Sequence, residues 1–216
     1  AVLRPLRLII QNYPEGGEEF FDLPNHPKDP DMGSRKVGFS REIFIEADDF
    51  TETPPPKYFR LSPGREVRLR GAYLVTCTDV IKGPDGKIEA VLCTYDRATR
   101  GGDAPDGRKV KGTLHWVSAA HAVPAEVRLY ERLFNAEFPG RDGDFLSQIN
   151  PESLETLTGC QVEASLAQAA PEDRFQFERL GYFCADRFDH AAHRLVFNRT
   201  VTLRDSWSRA VQEKSA

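Results

Sequence analysis

The sequence lacks a long apolar run, a close pair of cysteines and the common nucleotide-binding loops. No window approaches 18 consecutive apolar residues, so no transmembrane helix is expected. Two arginines interrupt the apolar stretch at the start, and no small-residue cleavage site follows, so no signal peptide is predicted. No P-loop, GxGxxG, HExxH or GxSxG motif occurs, and nothing singles out two carboxylates for acid–base work. We therefore expect a cytoplasmic protein with no catalytic residues in this segment.

Metal and disulfide chemistry also lack a sequence signal. His190 and His193 share a loop-like segment, but no third ligand stands near them, so no metal site is predicted. The cysteines are widely spaced and form no CxxC pair, which argues against a zinc knuckle and a redox dithiol. We expect buried free thiols in a reducing compartment. The four cysteines are Cys77, Cys93, Cys160 and Cys184.

Short segments of strand character fill most of the 216 residues, with Gly- and Pro-rich turns between them. GPDGK at Gly83–Lys87 predicts a hairpin between two β-branched runs. Ala125–Phe134 is compatible with either a strand or a helix, and Cys160–Arg174 predicts a short helix. The final SRAVQEKSA predicts a helical or disordered tail. This pattern indicates an all-β architecture, a barrel or a sandwich, with room for two β modules.

A basic segment, KYFRLSPGREVRLR at Lys57–Arg70, concentrates positive charge in a chain of net charge -4. It holds five basic residues and one acid, a local charge of about +4. Pro63-Gly64 predicts a turn within a hairpin, and strand alternation then places Arg68 and Arg70 on one face. Guanidinium groups beside aromatic rings suit phosphates and unstacked bases, although a solvated basic hairpin is the simpler interpretation. The basic and aromatic residues concerned are Lys57, Tyr58, Phe59, Arg60, Arg65, Arg68 and Arg70.

A second segment, Phe175–Glu178, alternates aromatic and polar side chains. As a strand it would place the two phenylalanines on one face and Gln176 and Glu178 on the other. An amide beside a carboxylate offers the donor and the acceptors that recognition of a Watson–Crick edge requires. Taken alone this signal is weak, because polar residues are the rule on the outer face of a strand.

Seven runs distributed over nearly the whole chain carry a resemblance to a known family. The chain resembles the C-terminal anticodon-binding region of the class I glutaminyl-tRNA synthetases. The related glutamyl enzymes of archaea and eukaryotes share that architecture, whereas bacterial glutamyl enzymes use a helical anticodon domain. The runs are PNHPKDPDMGSRKV, GREVRLRGAYLV, CTYD, PDGRKVKGTLHWVSAAHAVPAEVRLYERLF, DFLSQINPESL, FQFERLGYFCAD and LVFNRTVTLRDSW.

The resemblance implies a mainly β fold of two antiparallel β-barrels with a few short helices. The inner barrel, nearer the catalytic core, is discontinuous, and the outer barrel is inserted into it. By analogy, residues 1–56 and 123–216 would form the inner barrel and residues 57–122 the outer one. The ATP-binding signatures of the family do not occur in these residues. The catalytic domain would therefore lie upstream, and this chain would be a fragment of the enzyme.

The resemblance also implies a site. Family residues that recognise the first and third anticodon bases correspond here to Arg60, Arg68 and Arg70. Those that recognise the central uridine correspond to Gln176 and Glu178. Phe59 departs from the family pattern, which has a basic residue at this position, so a base contact there would become stacking.

The implied partners are the anticodon loop of glutamine tRNA and the upstream catalytic domain, with no membrane, and a monomer is expected. This segment would need no cofactor, while the parent enzyme would use ATP and Mg²⁺. These residues cannot separate glutamine from glutamate specificity. A glutamyl-tRNA synthetase of the non-bacterial type and a stand-alone RNA-binding β-barrel therefore remain alternatives. A third is a protein-interaction module whose docking face comprises Phe44, Tyr58 and Trp116.

Overall fold

The computed structural model describes residues 1–141 and 143–203. Strands dominate this part of the chain and the helices are short 3-10 turns, which confirms the mainly β prediction. No helix within it is long and apolar enough to span a membrane. The predicted tail, Ser208–Ala216, lies outside the described residues. The strands are β1 (Pro5–Ile10), β2 (Glu18–Pro24), β3 (Ser34–Ser40), β4 (Glu42–Glu46), β5 (Glu66–Leu69), β6 (Leu74–Lys82), β7 (Ile88–Asp96), β8 (Thr113–Leu114), β9 (Val117–Ser118), β10 (Val123–Tyr130), β11 (Leu154–Val162), β12 (Arg174–Phe177), β13 (Gly181–Ala185) and β14 (Leu195–Thr202). The 3-10 helices are Pro30–Met32, Ala47–Asp49, Arg97–Thr99, Phe145–Gln148 and Ala164–Gln168.

A seven-stranded sheet has the order β8-β5-β6-β7-β1-β4-β9, and β2 and β3 form a separate hairpin. β1 lies between two partners, antiparallel to β4 and parallel to β7. Side chains alternate along β4, so that one face of the strand points into the core. Ile43 and Ile45 on that face are fully buried, while Phe44 between them is only half-buried. The sheet curls so that these apolar faces point inward and enclose a core.

Aromatic rings fill much of that core. Phe39 meets Trp116 edge to face with ring centroids 5.0 Å apart, and Tyr73 with centroids 5.5 Å apart. The hydroxyl groups of Tyr13 and Tyr73 donate hydrogen bonds to Glu19 Oε1, at 3.0 and 2.8 Å. Burial, together with this carboxylate, raises the pKa of Tyr73 to about 12. The phenols therefore stay protonated and keep donating to Glu19 at neutral pH.

The predicted hairpin at Gly83–Lys87 is confirmed, since it connects the antiparallel strands β6 and β7. Gly86 adopts φ of 78°, a left-handed backbone conformation that glycine accommodates without strain. Cys77 and Cys93 lie opposite each other on these two strands, and both are buried free thiols. Cys160 is also buried and free, as predicted, whereas Cys184 is only half-buried.

A five-stranded sheet has the order β11-β10-β14-β13-β12. Ala125–Phe134, whose sequence was compatible with a strand or a helix, is a strand up to Tyr130. Phe177 and Phe183 stack in the core of this sheet with ring centroids 4.2 Å apart. Phe197 meets Phe177 edge to face with centroids 5.4 Å apart.

The chain divides into two compact units, and the boundaries of the two predicted barrels stay a prediction. Among the described residues, unit 1 comprises 1–124 and 160–167, and unit 2 comprises 125–141, 143–159 and 168–203. β1 and β4, from the predicted inner barrel, pair with β7 and β9, from the predicted outer barrel, in one sheet. The Pro-rich stretch near residue 56 therefore connects strands of a single sheet. Which residues lie nearer a catalytic domain stays a prediction.

Candidate nucleic-acid interface

The basic segment has an irregular first half and a regular second half. Lys57 has a positive φ of 63°, and Leu61 forms a single bridge to Phe50. The predicted turn at Pro63-Gly64 is present, but the two halves do not pair as a hairpin. The antiparallel partner of β5 is β6, because the chain reverses after Arg70. The hairpin prediction for this segment was therefore wrong in its pairing.

The alternation predicted for β5 is confirmed. Val67 and Leu69 are 1% and 0% exposed and pack in the core of unit 1. Arg68 is half-buried and Arg70 is exposed on the other face. Hydrogen bonds fix the backbone of Arg70, whose N–H donates to Leu114 and whose carbonyl accepts from Trp116 Nε1, both at 3.0 Å. The two arginines thus project from a backbone that is anchored on both sides.

The Gly102 carbonyl and the Asp103 carboxylate contact the Arg68 guanidinium. Its Nε donates to the carbonyl of Gly102, and its NH2 lies 3.3 Å from Asp103 Oδ1. Gly102 adopts φ of 99°, and a Cβ there would lie 3.0 Å from Arg68 Cδ. A larger residue would therefore disturb the arginine. The Asp103 side chain is 98% exposed, so the carboxylate partner of Arg68 is one that an incoming ligand could readily displace.

Arg60 and Tyr58 converge on the end of a 3-10 helix. The Arg60 guanidinium donates to the carbonyl of Asp48 at 2.9 Å, and the Tyr58 hydroxyl donates to the same oxygen at 3.2 Å. Arg60 also lies 3.3 Å from the buried Asp49 carboxylate. These contacts give Arg60 a structural role in addition to the role predicted in base recognition.

Phe59 exposes half of its surface, and Lys111 Nζ lies 5.1 Å from its ring centroid. Lys111 belongs with Arg108 and Lys109 to a second basic cluster, in which no site residue was predicted. The third member of the proposed docking face, Trp116, is only 2% exposed because it packs against Phe39. Phe44 and Tyr58 are half-buried. The protein-interaction face was therefore wrongly predicted.

In unit 2, Gln176 is exposed on β12, the edge strand of the five-stranded sheet. Its register partner on β13 is Tyr182, whose side chain is 47% exposed. An aromatic ring thus stands beside the amide, and cross-strand register, which the sequence does not display, places it there. Glu178 does not share the strand face, because β12 ends at Phe177 and a turn with Arg179 at φ of 66° follows.

The predicted site residues therefore fall into two groups in two units. Those of the basic segment belong to unit 1, and Gln176 and Glu178 belong to unit 2. Their joint use on one RNA loop stays a prediction.

Arg108, from the second basic cluster, is saturated by carboxylates. Its guanidinium contacts Glu66 at 2.9 Å, Asp96 at 2.6 Å and Asp106 at 2.7 Å. Hydrogen bonds to these carboxylates raise the pKa of Arg108, and the hydrogen bonds that Arg108 donates lower the pKa of Asp96. A guanidinium with three carboxylate partners has little capacity left for a phosphate.

Arg128 makes an equivalent network in unit 2. It contacts Glu126 at 2.8 Å, Asp186 at 3.4 Å and Asp189 at 2.6 Å. The backbone N–H of Asp189 and the Asn198 side chain, helped by Arg128, hold the pKa of Asp186 at about 2. This network fixes the loop after β13 and is structural. Within residues 1–141 and 143–203, no three His, Cys, Asp or Glu side chains are grouped to hold a metal ion.

Two family models match the chain, at residues 1–96 and 113–186, and both describe the anticodon-binding domain of the class I (E and Q) tRNA synthetases. The chain belongs to this family of anticodon-binding domains. Among curated relatives, the glutamine–tRNA ligases of Nitrobacter winogradskyi and Nitrobacter hamburgensis are 58% and 59% identical over 209 residues, which cover 97% of this chain. That of Pseudomonas putida is 57% identical over 210 residues, 96% of this chain. This anticodon-binding domain spans 37% of the length of each of these relatives.

Proposed function

We propose that this chain is the anticodon-recognising part of a glutamine–tRNA ligase, an enzyme that joins glutamine to its tRNA with ATP. The observation that carries the proposal is the oriented Arg68 on the outer face of β5, in a chain of this family. Glutamine–tRNA ligases at 53–59% identity over nearly the whole chain support the amino acid specificity. They favour it over a non-bacterial-type glutamyl enzyme and over a stand-alone RNA-binding barrel.

Arg68 and Arg70 recognise base edges and neutralise phosphates of the anticodon loop. A guanidinium presents a planar set of donors that matches two acceptors at once. The contact of Arg68 with the Gly102 carbonyl orients this set before RNA arrives, so less conformational entropy is lost on binding. The exposed Asp103 carboxylate gives way to the RNA. Arg60 acts beside them, and Lys57 at the exposed start of the segment meets a phosphate.

Aromatic and amide groups complete recognition. Tyr58 and Phe59 stack on bases that leave the loop. Gln176 hydrogen bonds with the central anticodon base, with Glu178 contributing from the adjoining turn. A wrong base would leave the amide without its partners, a cost of about 1–3 kcal/mol.

The remaining chemistry belongs to the part of the protein outside this chain. There, ATP and Mg²⁺ would serve the ligation of glutamine, while the anticodon-binding domain itself binds only tRNA. We place the enzyme in the cytoplasm, where glutamine isoacceptors are charged, and expect it to act as a monomer.

The decisive experiment replaces Arg68 with Ala in the full-length protein. Charging of glutamine tRNA transcripts with single anticodon changes is measured as kcat/KM. The unmutated enzyme should discriminate against altered anticodons, and Arg68→Ala should lose about 5- to 150-fold of that discrimination at one anticodon position. Arg7→Ala is the matched control, because Arg7 is an exposed arginine on a strand of the same unit.

Two results would contradict the proposal. If the full-length protein charges no glutamine tRNA, the ligase assignment fails. If Arg68→Ala discriminates among all anticodon variants as the unmutated enzyme does, the assignment of Arg68 fails. A parallel Gln176→Ala variant should lose discrimination at the central base only, with the first and third bases recognised as before.

A further inference from the structure

The segment that leads into β8 carries a second row of cations beside β5. From Lys109 to Leu114, exposed side chains alternate with less exposed ones, as expected for an extended strand. Lys109 and Lys111 therefore share the exposed side with Thr113. Thr113 is the register partner of Arg68 in the parallel pairing of β8 with β5. The two lysines thus form a second row next to β5, on the same face as Arg68.

Gly112 brings this row into contact with Phe59. Its carbonyl accepts a hydrogen bond from the Arg68 N–H at 2.8 Å. A Cβ at this position would lie 2.5 Å from the Phe59 carbonyl oxygen and 3.1 Å from Val67 Cγ1. Only a glycine lets the two backbones approach so closely, and this approach places the Lys111 ammonium over the half-exposed Phe59 ring.

We infer that Phe59, Lys109 and Lys111 form a subsite for single-stranded RNA that extends the proposed anticodon interface. One nucleobase stacks on the Phe59 ring, and the adjoining phosphates contact the two lysines. The Lys111 ammonium sits on a flexible four-carbon stem, so it moves from the ring to a phosphate when the base takes its place. A ring that accepts any base and two point charges that follow the backbone are the features that bind single strands.

The carboxylates near this row already contact an arginine. Arg108 holds Glu66, Asp96 and Asp106, and Asp103 contacts Arg68. The subsite rests on the proposed function, because it requires that an RNA loop lies on the outer face of β5. It assigns a role to the two lysines and explains how a phenylalanine serves at position 59.

The test uses the full-length protein and an anticodon stem–loop RNA of glutamine tRNA sequence, with Kd measured by fluorescence anisotropy at several KCl concentrations. Lys109→Gln and Lys111→Gln should each lower the slope of log Kd against log salt by about 0.7, the value expected per phosphate contact with a single strand. Lys87→Gln is the matched control, since Lys87 is 85% exposed in the β6–β7 turn and should leave the slope unchanged.

The stacking partner is tested with Phe59→Leu, which keeps an apolar side chain but removes the ring. It should weaken binding about tenfold at constant salt slope. An abasic nucleotide at the stacked position should weaken RNA binding by the unmutated protein by a similar factor. It should not weaken binding by Phe59→Leu any further. Scanning the abasic site through the anticodon identifies that position.

The inference is overturned if both lysine variants keep the slope of the unmutated protein, if Lys87→Gln changes it equally, or if Phe59→Leu binds as tightly as the unmutated protein. Arg68→Ala, measured in parallel by charging, separates failure of the subsite from failure of the interface. When Arg68→Ala loses anticodon discrimination and the subsite variants change nothing, the proposed function stands without the subsite. When Arg68→Ala also changes nothing, the interface itself is wrong.

Discussion

Two groups of arginines occupy this molecule in different ways. Arg108 and Arg128 each contact three carboxylates, whereas Arg60 and Arg68 donate to backbone carbonyls and each meets one carboxylate. The first group is neutralised locally and stabilises loops. The second is oriented by neutral carbonyl oxygens, and each of its arginines has a single carboxylate partner. Basic residues that look equivalent in a sequence thus differ in function through the partners that the fold supplies.

The largest effect that this comparison predicts is on folding stability in unit 2. Arg128→Ala leaves Glu126, Asp186 and Asp189 without their shared cation, and the first two have side chains only 16% and 13% exposed. We expect a loss of about 2–3 kcal/mol in the free energy of unfolding, between the values for exposed and fully buried pairs. Urea denaturation measures it. Arg194→Ala, which removes one exposed contact to Glu126, should cost less than about 1 kcal/mol.

A second prediction concerns acid. The folded state depresses the pKa of Asp186 to about 2, below its usual 3.8, so this carboxylate contributes stability above about pH 4. That contribution is lost as the pH falls toward 2. The urea midpoint should therefore decline over this interval, and Asp186→Asn should reduce the slope of the decline. An unchanged slope in the variant would show that other carboxylates dominate acid unfolding.

The third prediction separates the two groups within unit 1. Arg108→Ala should lower the urea midpoint, by less than Arg128→Ala because the Arg108 network is more exposed, and should leave anticodon discrimination intact. Arg68→Ala should leave the urea midpoint unchanged and reduce anticodon discrimination. Comparing urea midpoints with kcat/KM ratios for cognate and altered tRNA in both variants tests this crossover. A loss of discrimination in Arg108→Ala at full stability would place that arginine in the interface.

The smallest predicted effect concerns the carboxylate beside Arg68. Asp103→Asn removes a negative charge that is 98% exposed and competes with RNA for the guanidinium. We expect about twofold tighter binding of an anticodon stem–loop at low salt, and a smaller gain at physiological salt because exposed charges are screened. Asp85→Asn, in the β6–β7 turn, should give no gain. Weaker binding by Asp103→Asn would mean that Asp103 orients Arg68 for its ligand.

Local sequence patterns predicted the local structure well. The alternation in β5 located the faces of Val67 and Arg68, and the turn chemistry at Gly83–Lys87 located a hairpin. Contacts between residues that are distant in the sequence were not predicted. Arg108 meets Glu66 across 42 positions, and β1 pairs in parallel with the distant strand β7. Neither contact leaves a trace in periodicity, because both depend on how the strands assemble.

The parallel pairing of β1 with β7 has a consequence for synthesis on the ribosome. Leu8 finds its partner Val91 only after more than eighty further residues have been translated, and Val2 bridges to Gln161 later still. A nascent chain can pair β1 with β4 early, but the other edge of β1 stays without its partner until β7 has been made. We expect chaperones that bind nascent chains to contact that strand. Slower translation after Asp96 should favour the pairing of β1 with β7 over aggregation.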